Sequence, residues 1–427
     1  MNGLEYVALL LGVTSAFAYL NHYLLGLPRN SGLLILALAT ALGVRLIEYA
    51  LPGIGLAAAL REDLGRFDFG ALLLDGFLAF LLFAAALEVD VAALLARKWT
   101  TLALATVGVA VSTIAMAVGI YGIFALVGLA MPFAYCLVFG ALISPTDPVT
   151  VADVLRRLGI PRDLQAMMAG ESLFNDGVGI VLFTVFLEYA MAGGGADLGL
   201  ADVAVNFVRQ AGGGALLGLA TGGVAFAAIR GIDEYNVELM ISLTLVTGTF
   251  GLAQQLDLSG PVAVAVAGLI IGSIGRRFAF SPTTRDYLRN FWSTTDGLLN
   301  AVLFLLIGLE FTTIELHREF LVAAALAVPL SLLVRGLSIT LASLPLNLHS
   351  PNKLRAIALL TWSGLRGGIS VALVLGLPAS PYRGPLVTAC YGVVIFTMLA
   401  QGLSLGRVAT RLYPPAAEEE AQPSVKR

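Results

Sequence analysis

Residues 140–183 read GALISPTDPVTVADVLRRLGIPRDLQAMMAGESLFNDGVGIVLF. In otherwise apolar sequence this stretch sets Asp147, Glu171, Asn175 and Asp176 in two adjacent hydrophobic segments, joined by a basic turn with Arg156, Arg157 and Arg162. Carboxylates at membrane depth are expensive and mark a function or a partner. Pro145 and Pro148 bracket Thr146 and Asp147. Each proline lacks an N–H and crowds the carbonyl four residues back, so the carbonyls of Ala141 and Ser144 lose their helical partners. Freed carbonyls in a bilayer are tolerated only where they face protein, water or an ion. From Leu164 to Met191 there is no proline. That segment therefore reads as one continuous helix, with Ser172 and Asp176 a turn apart on one face and Glu171 and Asn175 on the neighbouring face. A broken helix beside an intact acidic one makes a candidate cation site near the midplane.

The remaining composition agrees with a membrane setting. Of 427 residues, 58% are hydrophobic and 12% charged, where a soluble globular domain carries about 25% charged. Mean hydropathy is +0.89. The chain is thus expected to be an all-α polytopic membrane protein, in contact with lipid. A net charge of -3, with basic residues scattered in short loops, excludes nucleic acid as a partner. Cys136 and Cys390 both lie in apolar segments and give neither a disulfide framework nor metal spacing. His22, His317 and His349 are far apart near span ends, so no cofactor or shared metal site is expected. The first apolar run begins at Leu4 without a basic n-region and reaches Leu25, too long for a cleaved signal peptide.

A crossing needs about 20 apolar residues. Runs of that kind, punctuated by turns and charge, fall near 4–25, 31–52, 69–91, 99–128, 132–155, 164–191, 202–229, 236–256, 260–275, 287–311, 319–346, 353–377 and 384–412, about thirteen in all. With the N-terminus outside, the inner loops and tail collect Arg29, Arg97, Lys98, Arg156, Arg157, Arg162, Arg230, Arg276, Arg277, Arg285, Arg289, Lys353, Arg355, Arg407, Arg411, Lys426 and Arg427. The outer loops hold mainly Arg61, Arg66, Arg318 and Arg383. This asymmetry places the C-terminus in the cytoplasm. Residues 193–200, GGGADLGL, form the most linker-like loop, and residues 414–427 read as a disordered cytoplasmic tail after a membrane domain of residues 1–413. Gly214, Gly218 and Gly222 recur at four-residue spacing, the mark of close helix packing.

A second interruption answers the first. In TWSGLRGGISVAL, Arg366 stands among Gly364, Gly367 and Gly368, and an arginine buried in lipid demands a carboxylate or a set of carbonyls. The fifth and twelfth spans cross in opposite directions, so two interrupted helices in corresponding positions read as inverted repeats of a secondary transporter.

Together, SPTDPV, GESLFNDGVGIVLF, FWSTTDGLLNAVLFLLIGLEF and WSGLRGGISVAL resemble the monovalent cation:proton antiporters of the sodium/proton exchanger type, in their prokaryotic NhaP-like branch. The resemblance covers the chain from about the third span onward. It implies a thirteen-span, homodimeric fold. A six-helix transport core, approximately 99–191 and 319–412, would move against a dimerisation scaffold, approximately 1–95 and 202–311. It implies exchange of sodium, potassium or lithium for protons in a prokaryotic inner membrane, without enzymatic chemistry. Carried over residue by residue, Asp176 takes proton or cation, and Asn175 makes an Asn-Asp pair of the kind associated with electroneutral exchange. The backbone carbonyl of Thr146, Asp147 and Ser172 complete the ion shell, and Glu171 pairs with Arg366. The chain departs from some relatives at Ala84, where they carry an acid, and at Ser293. Glu88, one turn on from Ala84, is the candidate substitute.

Each residue also has a plainer reading. Asp147 could cap a half-helix instead of binding an ion. Asp176 lies mid-helix, where no backbone donor is free. Arg335 could share the pairing of Glu171. Asp296 and Asn300 line the pathway or satisfy each other. Asp75, Glu48 and Glu188 read as interfacial or packing groups. The rival functions are a cation channel or ion-sensing membrane protein without proton coupling, and an intramembrane aspartyl protease using Asp147 and Asp176, against which Asn175 and the paired interruptions argue.

Overall fold

The computed structural model describes residues 3–51, 70, 72–96, 98–147, 151, 158, 162–193, 200–275, 282–314, 317–343 and 353–413. Pro148, Arg61, Arg66, Arg97, Arg156, Arg157, Arg276, Arg277, His349, most of the 193–200 linker and the 414–427 tail lie outside the described residues.

Every regular element described is helical, because backbone in hydrocarbon must satisfy its N–H and C=O groups within its own segment. The chain opens with α1 (Gly3–Leu20) and α2 (Arg29–Ala50). A π-helical turn at Leu72–Phe77 leads into α3 (Leu78–Glu88). A short helix not evident from the hydropathy, α4 (Val91–Ala96), follows. It starts where Asp90 Oδ1 accepts the N–H groups of Ala92 and Ala93 at 3.0 and 3.2 Å, an N-cap. Next come α5 (Lys98–Ala103), α6 (Val109–Leu126), α7 (Phe133–Ile143) and the long α8 (Arg162–Met191). In the second part lie α9 (Leu200–Phe207), α10 (Gly213–Ile229), α11 (Tyr235–Gln255), α12 (Gly260–Ile270) and α13 (Pro282–Glu310). The chain continues with α14 (Arg318–Ser343), α15 (Lys353–Trp362), α16 (Gly368–Leu375), α17 (Arg383–Phe396) and α18 (Gly402–Leu412), the last two joined by a π-helical turn at Thr397–Gln401.

Among the described residues nine helices are long and apolar enough to cross a bilayer, and Phe133–Ile143 and Gly260–Ser273 are shorter apolar helices. The run near 69–91 is occupied by the Leu72–Phe77 turn and α3, and the run near 353–377 is split between α15 and α16. The chain is a multi-pass integral membrane protein.

The main apolar core gathers Met116, Phe139, Leu142, Val371 and Tyr391 with Leu33 of α2 and Phe304 of α13. It places α6, α7, α8, α14, α16 and α17 around the polar centre. A second cluster surrounds Trp292 with Phe83, Val246, Phe250 and Val264; the Phe83 and Trp292 ring centroids lie 4.7 Å apart, and the indole Nε1 donates to Ser242 Oγ at 3.1 Å. In lipid such contacts stabilise by dispersion and by satisfied polar groups more than by expelled water. The glycine seam packs as its spacing suggests: α10 lies on α12. A Cβ on Gly214 would stand 2.6 Å from the Ser259 carbonyl oxygen, one on Gly222 3.1 Å from Ala267 Cα, and one on Gly218 would overlap the Ala263 carbonyl.

Candidate ion-binding site

Helix α7 stops at Ile143, and Ser144 to Asp147 leave the helix. The proline turn seats against the intact α8 at Gly179, where a Cβ would overlap the Pro145 ring. Helix α15 stops at Trp362 and α16 starts at Gly368, so the glycine-rich run is itself a break. The two breaks meet: the Asp147 N–H donates to the Leu365 carbonyl oxygen at 2.8 Å. The glycines make room for this meeting. A Cβ on Gly367 would lie 2.7 Å from both Cβ and Oδ2 of Asp147, and one on Gly364 2.7 Å from Arg335 Nε, while one on Gly368 would overlap Leu303.

Side chains of α8 hold the first break. Asn175 Nδ2 donates to Thr146 Oγ1 at 2.8 Å, and its Oδ1 accepts the Thr146 N–H at 3.4 Å. The hydroxyls of Thr146 and Ser172 are 3.0 Å apart, and those of Thr113 and Ser144 3.1 Å. Thr146, Ser172 and Asn175 are buried, Asp147 half-buried. Asp176 is 3% exposed and feels the charge of Asp147. It makes no hydrogen bond or ion pair with any other described residue. The structure therefore brings Asp176, Asn175, Ser172, Thr146 and Asp147 together.

The expected pairing of Glu171 with Arg366 is corrected. Glu171 Oε1 instead accepts Arg335 Nη1 at 2.5 Å, the arginine of α14 whose stem crosses the bare face of Gly364. Arg366 Nη1 donates to the carbonyl oxygens of Ser144 and, at 2.8 Å, of Pro145. The physical reason lies in the first break. Where α7 ends, the Ser144 and Pro145 carbonyls no longer serve the helix and are aimed at the buried guanidinium, which leaves Glu171 to Arg335. Glu171 and Arg335 still act on Arg366 through space.

Three residues of the last crossing support this arrangement and were not marked by sequence reasoning. The Arg366 N–H donates to Thr397 Oγ1 at 3.1 Å, and Gln401 Nε2 donates to the Trp362 carbonyl oxygen at 3.1 Å. Trp362 Nε1 donates to Ser404 Oγ at 3.0 Å. Their signal was the polar spacing i, i+4, i+7 inside an apolar span.

Other candidates lie elsewhere. Glu88 and Ser293 line a separate cavity of about 80 Å³ with Ala84, Arg285, Asp286 and Arg289, and none of Thr146, Asp147, Ser172 or Asp176 lines it. Asn300 Nδ2 donates to both the backbone oxygen and Oδ1 of Asp296 at 3.0 Å, so the two do bond each other. Glu48 is half-buried on α2 and Glu188 exposed on α8. Asp75 falls on the Leu72–Phe77 turn, its side chain outside the described set.

Comparison with known proteins gives consistent findings. The family model for the transmembrane sodium/hydrogen exchanger matches residues 12–411. The Na(+)/H(+) antiporter NhaP of Pseudomonas aeruginosa is 41% identical over 430 residues, covering 98% of this chain and 99% of that one. The Na(+)/H(+) antiporter NhaH of Halobacillus dabanensis is 34% identical over 353 residues, covering 81% and 84%. The solved sodium proton antiporter MjNhaP1 of Methanocaldococcus jannaschii, at pH 8, superposes with a TM-score of 0.72 at 22% identity, covering 96% of this chain and 99% of that one. That last likeness speaks to the fold.

Proposed function

The chain belongs to the transmembrane sodium/hydrogen exchanger family, and from that premise we propose that it is a secondary antiporter exchanging sodium for protons by alternating access, with Asp176 as the shared site. The observation that carries the reading is a buried carboxylate with no counter-ion among the described residues, beside the crossing of two broken helices. An empty, charged Asp176 would cost several kcal/mol to carry through a dry interior. Protonated or cation-bound it is neutral. Only the two occupied forms then reorient, and that restriction is the coupling.

The chain's own groups divide the work. Asp176 takes the proton or the cation. The Thr146 carbonyl, the Ser172 hydroxyl and Asp147 supply further oxygens for a sodium ion, with potassium or lithium as alternatives. Asn175 holds Thr146 over α8 without adding a carboxylate to those of Asp176 and Asp147, which favours one-for-one electroneutral exchange. Arg366 donates to the Ser144 and Pro145 carbonyls, and the Glu171 and Arg335 pair keeps a second buried arginine from competing for Asp176. On the same reading the chain makes thirteen crossings and is a homodimer of the bacterial inner membrane, N-terminus outside and C-terminus in the cytoplasm. A core of approximately 99–191 and 319–412 moves against a scaffold of approximately 1–95 and 202–311. The named relatives are antiporters, which weighs against a cation channel.

The test is a pH-reporting proteoliposome assay with sodium, potassium and lithium supplied in turn. Wild type should move protons against each accepted cation, and Asp176→Asn should abolish the signal at unchanged yield of folded protein. Cation flux without a reciprocal pH change, or full exchange by Asp176→Asn, would overturn the reading.

A further inference from the structure

A broken helix must find new partners for its backbone, and at the second break they come from one turn of the last crossing. Thr397 and Gln401 stand at the two ends of the π-helical turn Thr397–Gln401 and are 1% and 0% exposed. Gln401 ties the last carbonyl of α15, that of Trp362, and Thr397 ties the N–H of Arg366. Thr397 Oγ1 also lies 3.0 Å from the Val394 carbonyl oxygen, to which it can donate while accepting from Arg366. Between these anchors, Leu365 offers its carbonyl to the Asp147 N–H at 2.8 Å. Beyond them, the Arg366 side chain takes the Ser144 and Pro145 carbonyls. The turn thus sets where Arg366 stands. Through Leu365 and Arg366 it sets where residues 144–147 stand over Ser172 and Asp176.

We infer that Thr397 and Gln401 are positioning residues for the cation, acting through the backbone of Trp362–Arg366 on the oxygens around Asp176. The inference rests on the antiport reading and adds a split within it. A proton needs one carboxylate oxygen, whereas a metal cation needs several oxygens at matched distances. A displaced strand therefore weakens cation binding more than protonation. A π-helical turn with side chains aimed at a neighbour's broken backbone fits this role, since such turns re-aim residues that a regular helix would point elsewhere.

The test compares Thr397→Val, near-isosteric without the hydroxyl, with Thr397→Ser, which keeps it, and adds Gln401→Met. In proteoliposomes Thr397→Val should raise the KM for sodium about ten-fold, the effect of one lost buried hydrogen bond, with the maximal rate at saturating sodium retained. Because protons and sodium compete, weaker sodium binding lets protons win to higher pH. The acidic limb of the activity profile should therefore move to the alkaline side by up to about one unit. Thr397→Ser should stay within about two-fold of wild type, and Gln401→Met should shift both readouts in the same direction. Thermal melting in detergent reports folding. Unchanged KM and pH profile in folded Thr397→Val would overturn the inference, as would equal impairment in Thr397→Ser. Loss of folded protein in both Thr397→Val and Gln401→Met would also overturn it, because the residues would then hold the fold and not the ion. If wild type itself shows no exchange, the antiport reading falls first, and the two failures are told apart.

Discussion

Two seams of this molecule use small residues for close approach, and they close by different physics. Along α10 and α12, Gly214, Gly218 and Gly222 bring bare backbone against Ser259, Ala263 and Ala267. Nothing polar is exchanged between side chains there. At the crossing of the two breaks, Gly364, Gly367 and Gly368 also remove Cβ atoms, but the space is filled by Arg335, Asp147 and Leu303. The joint is held by a guanidinium on two carbonyls and by the hydroxyls and amides of α8 and the last crossing. The first seam depends on one helix's own periodicity. The second depends on which of several helices reaches a given acceptor first.

The sharpest break of this comparison concerns Glu171. Removing one partner of a buried ion pair leaves an uncompensated charge, which costs about 3–5 kcal/mol, so Glu171→Leu or Arg335→Met alone should sharply lower thermal stability in detergent. The double substitution should recover most of the loss. A double-mutant cycle between Glu171 and Arg366 should show a smaller coupling, since no hydrogen bond joins them among the described residues. Equal coupling in the two cycles would return Glu171 to the arginine of the second break.

Next in size is Asn175, which ties Thr146 by two contacts. Asn175→Ala should raise the sodium KM by about five- to a hundred-fold, the range for losing buried hydrogen bonds worth about 1–3 kcal/mol, as read in the same vesicles. Asn175→Asp should keep Thr146 as an acceptor-bound neighbour but add a carboxylate. Exchange should then become sensitive to membrane potential, and on the electroneutral reading the native chain should not be.

The contrast explains what the sequence could reveal. Apolar runs of about 20 residues locate crossings because the bilayer imposes that length on each segment separately. The continuous α8 and the break after Ile143 follow from where prolines are and are not. The four-residue glycine spacing needs only the geometry of its own helix. By contrast, α4 is six residues of VAALLA, indistinguishable by hydropathy from the spans on either side. The partner of Glu171 was undecidable because Arg335 and Arg366 were both apolar-span arginines, and only the tertiary fold aims Arg366 at the carbonyls. Thr397, Gln401 and Ser404 looked like ordinary polar residues of a span, since threonine and serine in helices usually bond their own carbonyls four residues back.

At the glycine seam the expected effect is smaller and confined to stability. Gly218→Ala sets a methyl on the Ala263 carbonyl, and overpacking of this kind costs about 1–3 kcal/mol. Gly223, one residue beyond Gly222, has nothing within 4 Å of an added Cβ. Gly223→Ala should therefore be neutral or stabilising by up to about 1 kcal/mol through helix propensity. Exchange per folded molecule should be unchanged in both. A transport defect in Gly218→Ala at normal melting temperature would mean the seam moves during the cycle.

The smallest effect falls on Glu88, and it tests whether the third crossing lends a ligand at all. Ala84 is the position at which the resemblance leads an acid to be expected, and Glu88, one turn on, is the carboxylate of α3. Yet Glu88 lines the cavity of Arg285, Asp286 and Arg289, with no residue of the ion cluster in its walls. A carboxylate there is exposed and screened, so it contributes to the local potential and little to a desolvated shell. Glu88→Gln should change the sodium KM by less than about two-fold at physiological salt, with any residual effect growing as ionic strength falls. A salt-independent rise comparable to that of Asn175→Ala would mean that Glu88 swings to Asp176 in the opposite-facing state, and the ion shell would then draw on the scaffold as well as the core.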